Sequence, residues 1–352
     1  MSEHPGEQLR IATIVPSFRR GSGGHATIVR LMRALRDGGG HDVTLWLEDC
    51  ERRHARERRS LTRRSFERFF ASDGIPLHTD FEDWDGADVV LATGWQTVER
   101  AVSLPSVRAR AYLVQDHEPD FYATSAESLW AEETYRVGLH CIAASEWLAT
   151  LLRDRYGASA SHFDLAVDHA VYRPPANDRR EDDLVVFYAR AVTPRRAVPL
   201  GLAALAELSA RRPDVRIALY GESAALAVPF AHRNLGVLDE RALAALYARA
   251  SVGMVLSLTN PSLIGLEMMA AGLPCVELAS DSMLATFGAQ GPLQLATADP
   301  LALCAEIERL LQDVGARERA TRAGIELMAG RSWSHAAEQV EQGLRLALTP
   351  SG

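Results

Sequence analysis

Nine short apolar runs, spread along the whole chain, set the strongest limit on what it can fold into. In the first half they are LRIATIV (9–15), DVTLWL (42–47), DVVLAT (88–93), RAYLVQ (110–115) and HCIAA (140–144). The second half adds DLVVFYA (183–189), VRIALYG (215–221), VGMVLS (252–257) and PCVEL (274–278). These runs are apolar almost throughout, not at every second position, so both faces of each strand need cover. Parallel sheets with helices above and below supply it. The segments between the runs carry helix punctuation. Ser145 caps EWLATLLRDRY ahead of Gly157, and Asp239 caps ERALAALYARA, whose Leu243, Leu246 and Tyr247 share a face. A helix through Leu266 to Ala271 stops at Gly272, with Pro274 just beyond. The chain is predicted to be α/β, with doubly wound parallel sheets.

The alternation breaks at YRPPANDRREDD (172–183), where two prolines and a dense charge run separate one series from the next. With about 150 residues per domain, two domains are expected. Their bounds are residues 1–175 and 184–331, with 332–352 left as a C-terminal helix.

Composition narrows the chemistry. A net charge of −8 speaks against nucleic acid as a partner. All 38 Lys and Arg residues are Arg, which excludes a Schiff-base lysine and a phosphate-loop lysine. Any phosphate must then be held by Arg, His or backbone amides. Cys50, Cys141, Cys275 and Cys304 form no CxxC pair or Cys/His cluster and read as unpaired thiols of a reducing cytoplasm. The polar opening MSEHPGEQLR shows no signal peptide. The uncharged stretch Ala250–Leu266 is too short and too punctuated to span a bilayer. A cytoplasmic protein is expected.

Doubly wound sheets bind ligands beyond the carboxyl ends of their strands, which singles out four loops. PSFRRGSGGHATIVRLMRAL sets Gly21, Gly23 and Gly24 before a helix, where free amides and the dipole favour an anion. Its G-x-G-G spacing is not the dinucleotide fingerprint, and a structural turn explains it equally well. In YARAVTPRRAVPLG, Arg190 ends a strand while Arg195 and Arg196 open a helix. Converging guanidinium groups suit a diphosphate, and a solvated helix cap is the alternative. VGMVLSLTNPSLIGLEMMAAGLPCVEL carries Glu267 among apolar neighbours, a turn into a helix. There a carboxylate can accept from ribose hydroxyls, or serve in a structural ion pair. In QDHEP (115–119), His117 can meet a donor sugar or the departing oxygens, or be structural.

Two further segments need placing. DWD (83–85) matches the Asp-x-Asp pattern of metal-dependent sugar transferases. It precedes the strand DVVLAT, at the far end of the sheet from these loops, so no metal site is expected. ERRHARERRSLTRRSFERFF (51–70) holds eight Arg against three Glu. Phe66, Phe69 and Phe70 can dip into a membrane interface while the arginines meet anionic lipid, at the inner face of the cell membrane. A solvated basic helix is the alternative.

Taken together and in order, these segments resemble the retaining GT-B glycosyltransferases of glycosyltransferase family four, over roughly residues 9 to 345. SLTNPSLIGLEMMAAGLPCV looks like that family's E-G-F-G-L-x-x-L-E-A-M-A-x-G-x-P-V segment, and YARAVTPRRA like its G-R-l-x-x-x-K-G segment. GSGGHATIVRLMRAL, GHDVTLW, CIAASEWLATLL and AVDHAVYRP keep the family's order and spacing. LVQDHEPDFY, FYARAVTPRRA and SLTNPSLIGLEMMAAG are most similar to bacterial rhamnosyltransferases of the WsaF type.

The resemblance implies a GT-B fold, two Rossmann-like domains facing across a cleft, with helix 332–352 packing back toward the first. The first domain would serve the acceptor and the second the nucleotide sugar. Glu267 would hold the ribose, and Arg190, Arg195 and Arg196 the diphosphate. Gly221, Leu238 and the HRNLGVL segment would take the base. Thr259, Asn260, Pro261, Ser262 and Leu263 would line the sugar and phosphate, Gly23 and Gly24 would approach phosphate or acceptor, and His117 would contact the donor sugar. No cofactor or metal is implied beyond the donor itself, and the acceptor would be a glycan or glycoconjugate. Two departures stand out. Thr259 replaces the family's first Glu, eight residues before Glu267, and Arg195-Arg196 replace its Lys-Gly. The donor implied is a thymidine-diphosphate 6-deoxysugar such as rhamnose. A nucleotide-sugar epimerase and a weakly catalytic glycan-binding subunit are the alternatives.

Overall fold

A computed structural model of the chain describes residues 7–54, 58–72, 74–175, 180–224 and 226–349. The chain divides into two compact units, residues 1–165 with 333–352, and residues 166–332.

The first unit is built on seven strands: β1 (Arg10–Pro16), β2 (Asp42–Glu48), β3 (Leu77–His78), β4 (Ala87–Ala92), β5 (Val107–Val114), β6 (His140–Ala143) and β7 (Ala160–His162). They form one parallel sheet in the order β3-β2-β1-β4-β5-β6-β7. The second unit has β8 (Leu184–Tyr188), β9 (Arg216–Tyr220), β10 (Arg233–Asn234), β11 (Val252–Met254), β12 (Cys275–Leu278) and β13 (Gln294–Ala296). Its sheet is also parallel and runs β10-β9-β8-β11-β12-β13. Both are doubly wound, and each reverses its order once, between β1 and β4 and between β8 and β11. Beyond the carboxyl ends of those pairs lies the natural ligand crevice of each sheet.

All nine apolar runs form strands, and their central residues are fully buried, Ile14, Val90, Leu113, Phe187 and Val276 among them. The four strands that no run announces are β3, β7, β10 and β13, the outermost strands of the two sheets. Each has two or three residues. An edge strand this short needs little apolar cover, so it leaves no apolar run to read.

The helix ends follow local chemistry. Ser145 Oγ accepts from the Leu148 amide at 3.1 Å, and Gly157 ends that helix in the left-handed region. Gly201 lets the helix Val198–Arg211 lie directly on Phe187, since a Cβ there would stand 2.3 Å from the ring.

The unit boundary falls six residues before the proline-rich segment 172–183, whose residues 176–179 lie outside the described part of the chain. Residues 166–175 side with the second unit because Tyr172 stacks on Tyr247 with ring centroids 6.1 Å apart, and His169 Nε2 meets the Arg331 carbonyl at 3.1 Å. The helix Trp333–Leu348 packs within the first unit, on the helix Gly23–Asp37 and on β5, β6 and β7. Gln339 Oε1 accepts there from the Asp164 amide at 2.8 Å, and Arg30 stacks over Trp333. Among the described residues no helix is long and apolar enough to cross a membrane.

Gly201→Ala sets two effects against each other. Helix propensity favours Ala by roughly 1 kcal/mol, whereas overpacking a filled core costs about 1–3 kcal/mol. With the ring at 2.3 Å, overpacking should win and Tm should fall. An unchanged or higher Tm in a thermal melt would mean that Phe187 yields freely.

Candidate functional site

In the second unit, the chain leaves β8 through Ala189, whose amide stays bonded to the Tyr220 carbonyl at 2.8 Å. Arg190 follows, half-buried, and Pro194–Arg196 make one 3₁₀ turn before the next helix. The loop after β11 is fastened to this turn at two points. Arg196 donates to the Ser257 hydroxyl, and the Leu258 amide donates to the Arg195 carbonyl at 3.0 Å. Arg196 also lies 6.0 Å from the Tyr188 ring.

That loop then enters the helix Leu263–Ala270. Ser262 caps it, its Oγ accepting from the Ile264 amide at 3.3 Å. Thr259 is buried, and its carbonyl accepts from the Ser282 hydroxyl. Asn260 is buried beside it, while Pro261 and Leu263 are half-buried. Glu267, a turn into the helix, is also buried. Nearby, the Tyr220 and Tyr247 hydroxyls pair at 3.0 Å. Burial above all holds both well above the ordinary tyrosine range, and the negative charge of Glu267 adds to the effect.

Gly221 ends β9 with φ +98°, where a Cβ would stand 2.5 Å from the Tyr188 ring. Only glycine fits there without strain. Its amide meets the Gly236 carbonyl at 2.8 Å, which brings the segment leading to half-buried Leu238 alongside.

Sequence reasoning missed Glu277. It lies in β12 and is 1% exposed. Its Oε1 accepts from the amides of Ser257 at 2.8 Å and Leu278 at 2.9 Å. Burial pushes its carboxyl up to about 8, against the two amides and the charge of Arg196. A carboxyl that holds its proton more tightly when folded contributes stability that is full below the unfolded value and lost as pH rises through about 8. The signal was visible in PCVEL, a Glu inside an otherwise apolar run.

In the first unit, Ser22 caps the helix after β1, accepting from the His25 amide at 3.5 Å. Gly23 and Gly24 supply its first amides, which have no partner within the helix. A Cβ on Gly23 would meet nothing within 4 Å, and one on Gly24 would touch the Gln115 side chain at 3.6 Å. His117, expected at the sugar, is 2% exposed. Its Nδ1 lies 2.7 Å from Asp120 Oδ2, and its Nε2 2.7 Å from the Tyr156 hydroxyl. Both ring nitrogens are thus engaged within the unit. Its neighbour Glu118, also missed, is buried and accepts from the Trp95 amide at 2.7 Å and the Tyr112 hydroxyl at 2.5 Å.

DWD lies at the amino ends of the strands. Asp85 pairs with Arg10 of β1 at 2.9 Å, and the Trp84 indole donates to the Pro105 carbonyl at 2.9 Å. Among the described residues, no group of three or more His, Cys, Asp or Glu is placed to share a metal ion. The membrane-contact expectation needs correcting at two of its three aromatics. Phe66 and Phe70 of the helix Arg59–Phe70 are buried, with Phe66 against Phe18 at 5.1 Å and Phe70 stacked on His25 at 5.3 Å between ring centroids. They fill the core under this helix and are not available to lipid. Residues 55–57 of that basic segment lie outside the described residues.

Over 96% of this chain and 100% of its own, the Anabaena protein HepE, solved in complex with UDP and glucose, superposes with a TM-score of 0.73 at 14% identity. Two doubly wound parallel units of this kind define the GT-B class. Residues 83–146 match the WsaF N-terminal domain and residues 183–302 the WsaF C-terminal domain, together more than half of the chain. The chain belongs to the WsaF family. It is 31% identical over 264 residues to the O-antigen biosynthesis protein RfbC of Myxococcus xanthus, covering 73% of this chain and 20% of that protein. It is 30% identical over 233 residues to the D-inositol 3-phosphate glycosyltransferase of Frankia alni, covering 57% of each. The chain thus spans about a fifth and just over half of the lengths of these two relatives.

Tyr112→Phe takes a donor from the buried Glu118 carboxylate while keeping the ring. A hydrogen bond to a charged group contributes about 1.5–3 kcal/mol. Denaturant unfolding should show a loss of that order, and stability equal to the unsubstituted protein would mean that Glu118 finds another donor at no cost.

Proposed function

We propose that this chain is a glycosyltransferase that moves a sugar from a nucleoside-diphosphate donor to a glycan or glycoconjugate, with retention and without a metal ion. The observation that carries this is the joining of Arg195 and Arg196 to Ser257 and Leu258. It sets an arginine pair and a capped helix N-terminus side by side at the switch point of the second sheet. Such a site meets the charge that grows on a departing diphosphate without reorganising. The WsaF domains and the names of the two relatives support the same reading.

In this proposal Arg190, Arg195 and Arg196 hold the diphosphate and Glu267 accepts from the ribose. Gly221 and Leu238 flank the base, while Thr259, Asn260, Pro261, Ser262 and Leu263 line the sugar and phosphate. In the first unit, the Gly23 and Gly24 amides approach phosphate or acceptor. His117 meets the sugar once its bond to Tyr156 or Asp120 gives way. Metal independence rests on the position of DWD at the amino ends of the strands. O-antigen biosynthesis in the Myxococcus relative favours a cell-surface polysaccharide as the acceptor.

Glu267→Ala and Arg190→Ala should each give a folded protein with at least about tenfold lower transfer, the cost of a charge-assisted hydrogen bond. Unsubstituted rates in either variant would remove that residue from the site.

Thr259 bears on the sugar. A buried carboxylate without donors is costly, so a short neutral residue fits a donor with fewer hydroxyls, and its methyl can pack on the sugar's apolar part. Thymidine-diphosphate rhamnose should outcompete uridine- and guanosine-diphosphate hexoses by a modest factor, about 10–200-fold for a methyl-sized difference. Thr259→Glu should lower activity with that donor, and a clear preference for a fully hydroxylated hexose would reject both the donor and the role of Thr259. The same Thr259 favours a second reading, a weakly catalytic glycan-binding subunit, which donor binding without turnover would select.

A further inference from the structure

Among the described residues of the second unit, Glu277 is the buried carboxyl that the proposed donor site leaves without a role. It stands at the root of the loop after β11, where three consecutive residues are tied to β12, to the Pro194–Arg196 turn and to the helix Asp281–Phe287. Ser257 gives its amide to Glu277 at 2.8 Å, and its hydroxyl accepts from Arg196. Leu258 gives its amide to the Arg195 carbonyl at 3.0 Å, and the Thr259 carbonyl takes the Ser282 hydroxyl. Only the first of these ties uses a carboxyl from inside a sheet. The Leu278 amide, bonded to the same oxygen at 2.9 Å, fixes that carboxyl in place.

A carboxyl is a costly group to keep in a β-strand, and an apolar residue of similar volume would avoid its desolvation. Such a residue would leave two buried amides without an acceptor, at the point where the loop must be held rigid. A site that stabilises charge by preorganisation needs its donors fixed by the groups behind them.

We propose that Glu277 is a positioning residue of the nucleotide-sugar site, fixing the loop Ser257–Ser262 and, through Ser257, the Arg196 guanidinium toward the donor diphosphate. This rests on the donor-binding role proposed above for the same loop. Glu277 touches no substrate in this account, and its effect reaches the donor through Ser257 and Arg196.

The test is calorimetric binding of thymidine and uridine diphosphates to the full chain, with KM and kcat measured alongside. Glu277→Ala removes the acceptor, and Glu277→Met removes it while keeping the volume, so that one variant folds if the other does not. Each should weaken diphosphate binding and raise the donor KM by about tenfold or more, with kcat changed far less. Glu277→Gln keeps an oxygen for both amides and should restore binding to within about threefold. Combined with Arg196→Ala, Glu277→Met should cost less than the sum of the two, because one acts through the other. A folded Ala or Met variant that binds like the unsubstituted chain would overturn the proposal. So would a Gln variant as weak as Met, or strict additivity with Arg196→Ala. Failure of the unsubstituted chain to bind either diphosphate or any nucleotide sugar would instead overturn the donor-site reading, and this inference with it.

Discussion

Covering both faces of a parallel strand leaves few places along its middle where a polar side chain meets water, so polar groups collect where the strands end. Both units obey this constraint. Ser17, Thr93, Asp116, His117, Glu118 and Ser145 are buried at or just beyond the ends of β1, β4, β5 and β6. Ser257, Thr259, Asn260 and Ser262 follow β11 in the same way. Each such group must find a partner in the protein: Ser17 donates to Asp49, Thr93 donates to the Ile14 carbonyl, and Ser145 and Ser262 accept from amides of their own helices. Each sheet thereby builds a hydrogen-bonded platform beyond its own carboxyl ends.

The platforms differ in what they hold. In the first unit, tyrosines enclose the polar groups: Tyr112 and Tyr135 bond to Glu118, and Tyr156 to His117. The result is a closed network of aromatic rings and acids. In the second unit the groups tied together are arginines, backbone amides and one carboxyl, which leaves positive charge and amide dipoles for an anion. This difference in chemistry, on two sheets of like topology, is what supports the proposal that the second unit receives the anion.

How much of this could be read from residues alone follows the same physics. The nine inner strands were legible because burial on both faces demands apolar runs. β3, β7, β10 and β13 were not, because a two- or three-residue edge needs none. The glycine turn, the three arginines and Glu267 stood out by residue type next to a strand end. Glu277 carried a signal, an acid within PCVEL, but its partner Ser257 is twenty residues away; Glu118 sits among other polar residues in QDHEP, and only the fold brings Trp95 and Tyr112 onto its carboxylate. Phe66 and Phe70 misled for the opposite reason. On a helix rich in arginine they read as a membrane face, and only their packing on Phe18 and His25 shows them to be core.

The chain leaves the first unit at residue 165 and returns to it at 333, so the second unit is an insertion within the first. The returning helix rests on β6 and β7 through Gly343, where a Cβ would stand 2.8 Å from Ile142 and Ser161. During vectorial synthesis on the ribosome, this side of the first sheet therefore waits for the helix Trp333–Leu348 to emerge. By then every residue of the second unit has already been made. The first unit is thus begun before the second and completed after it.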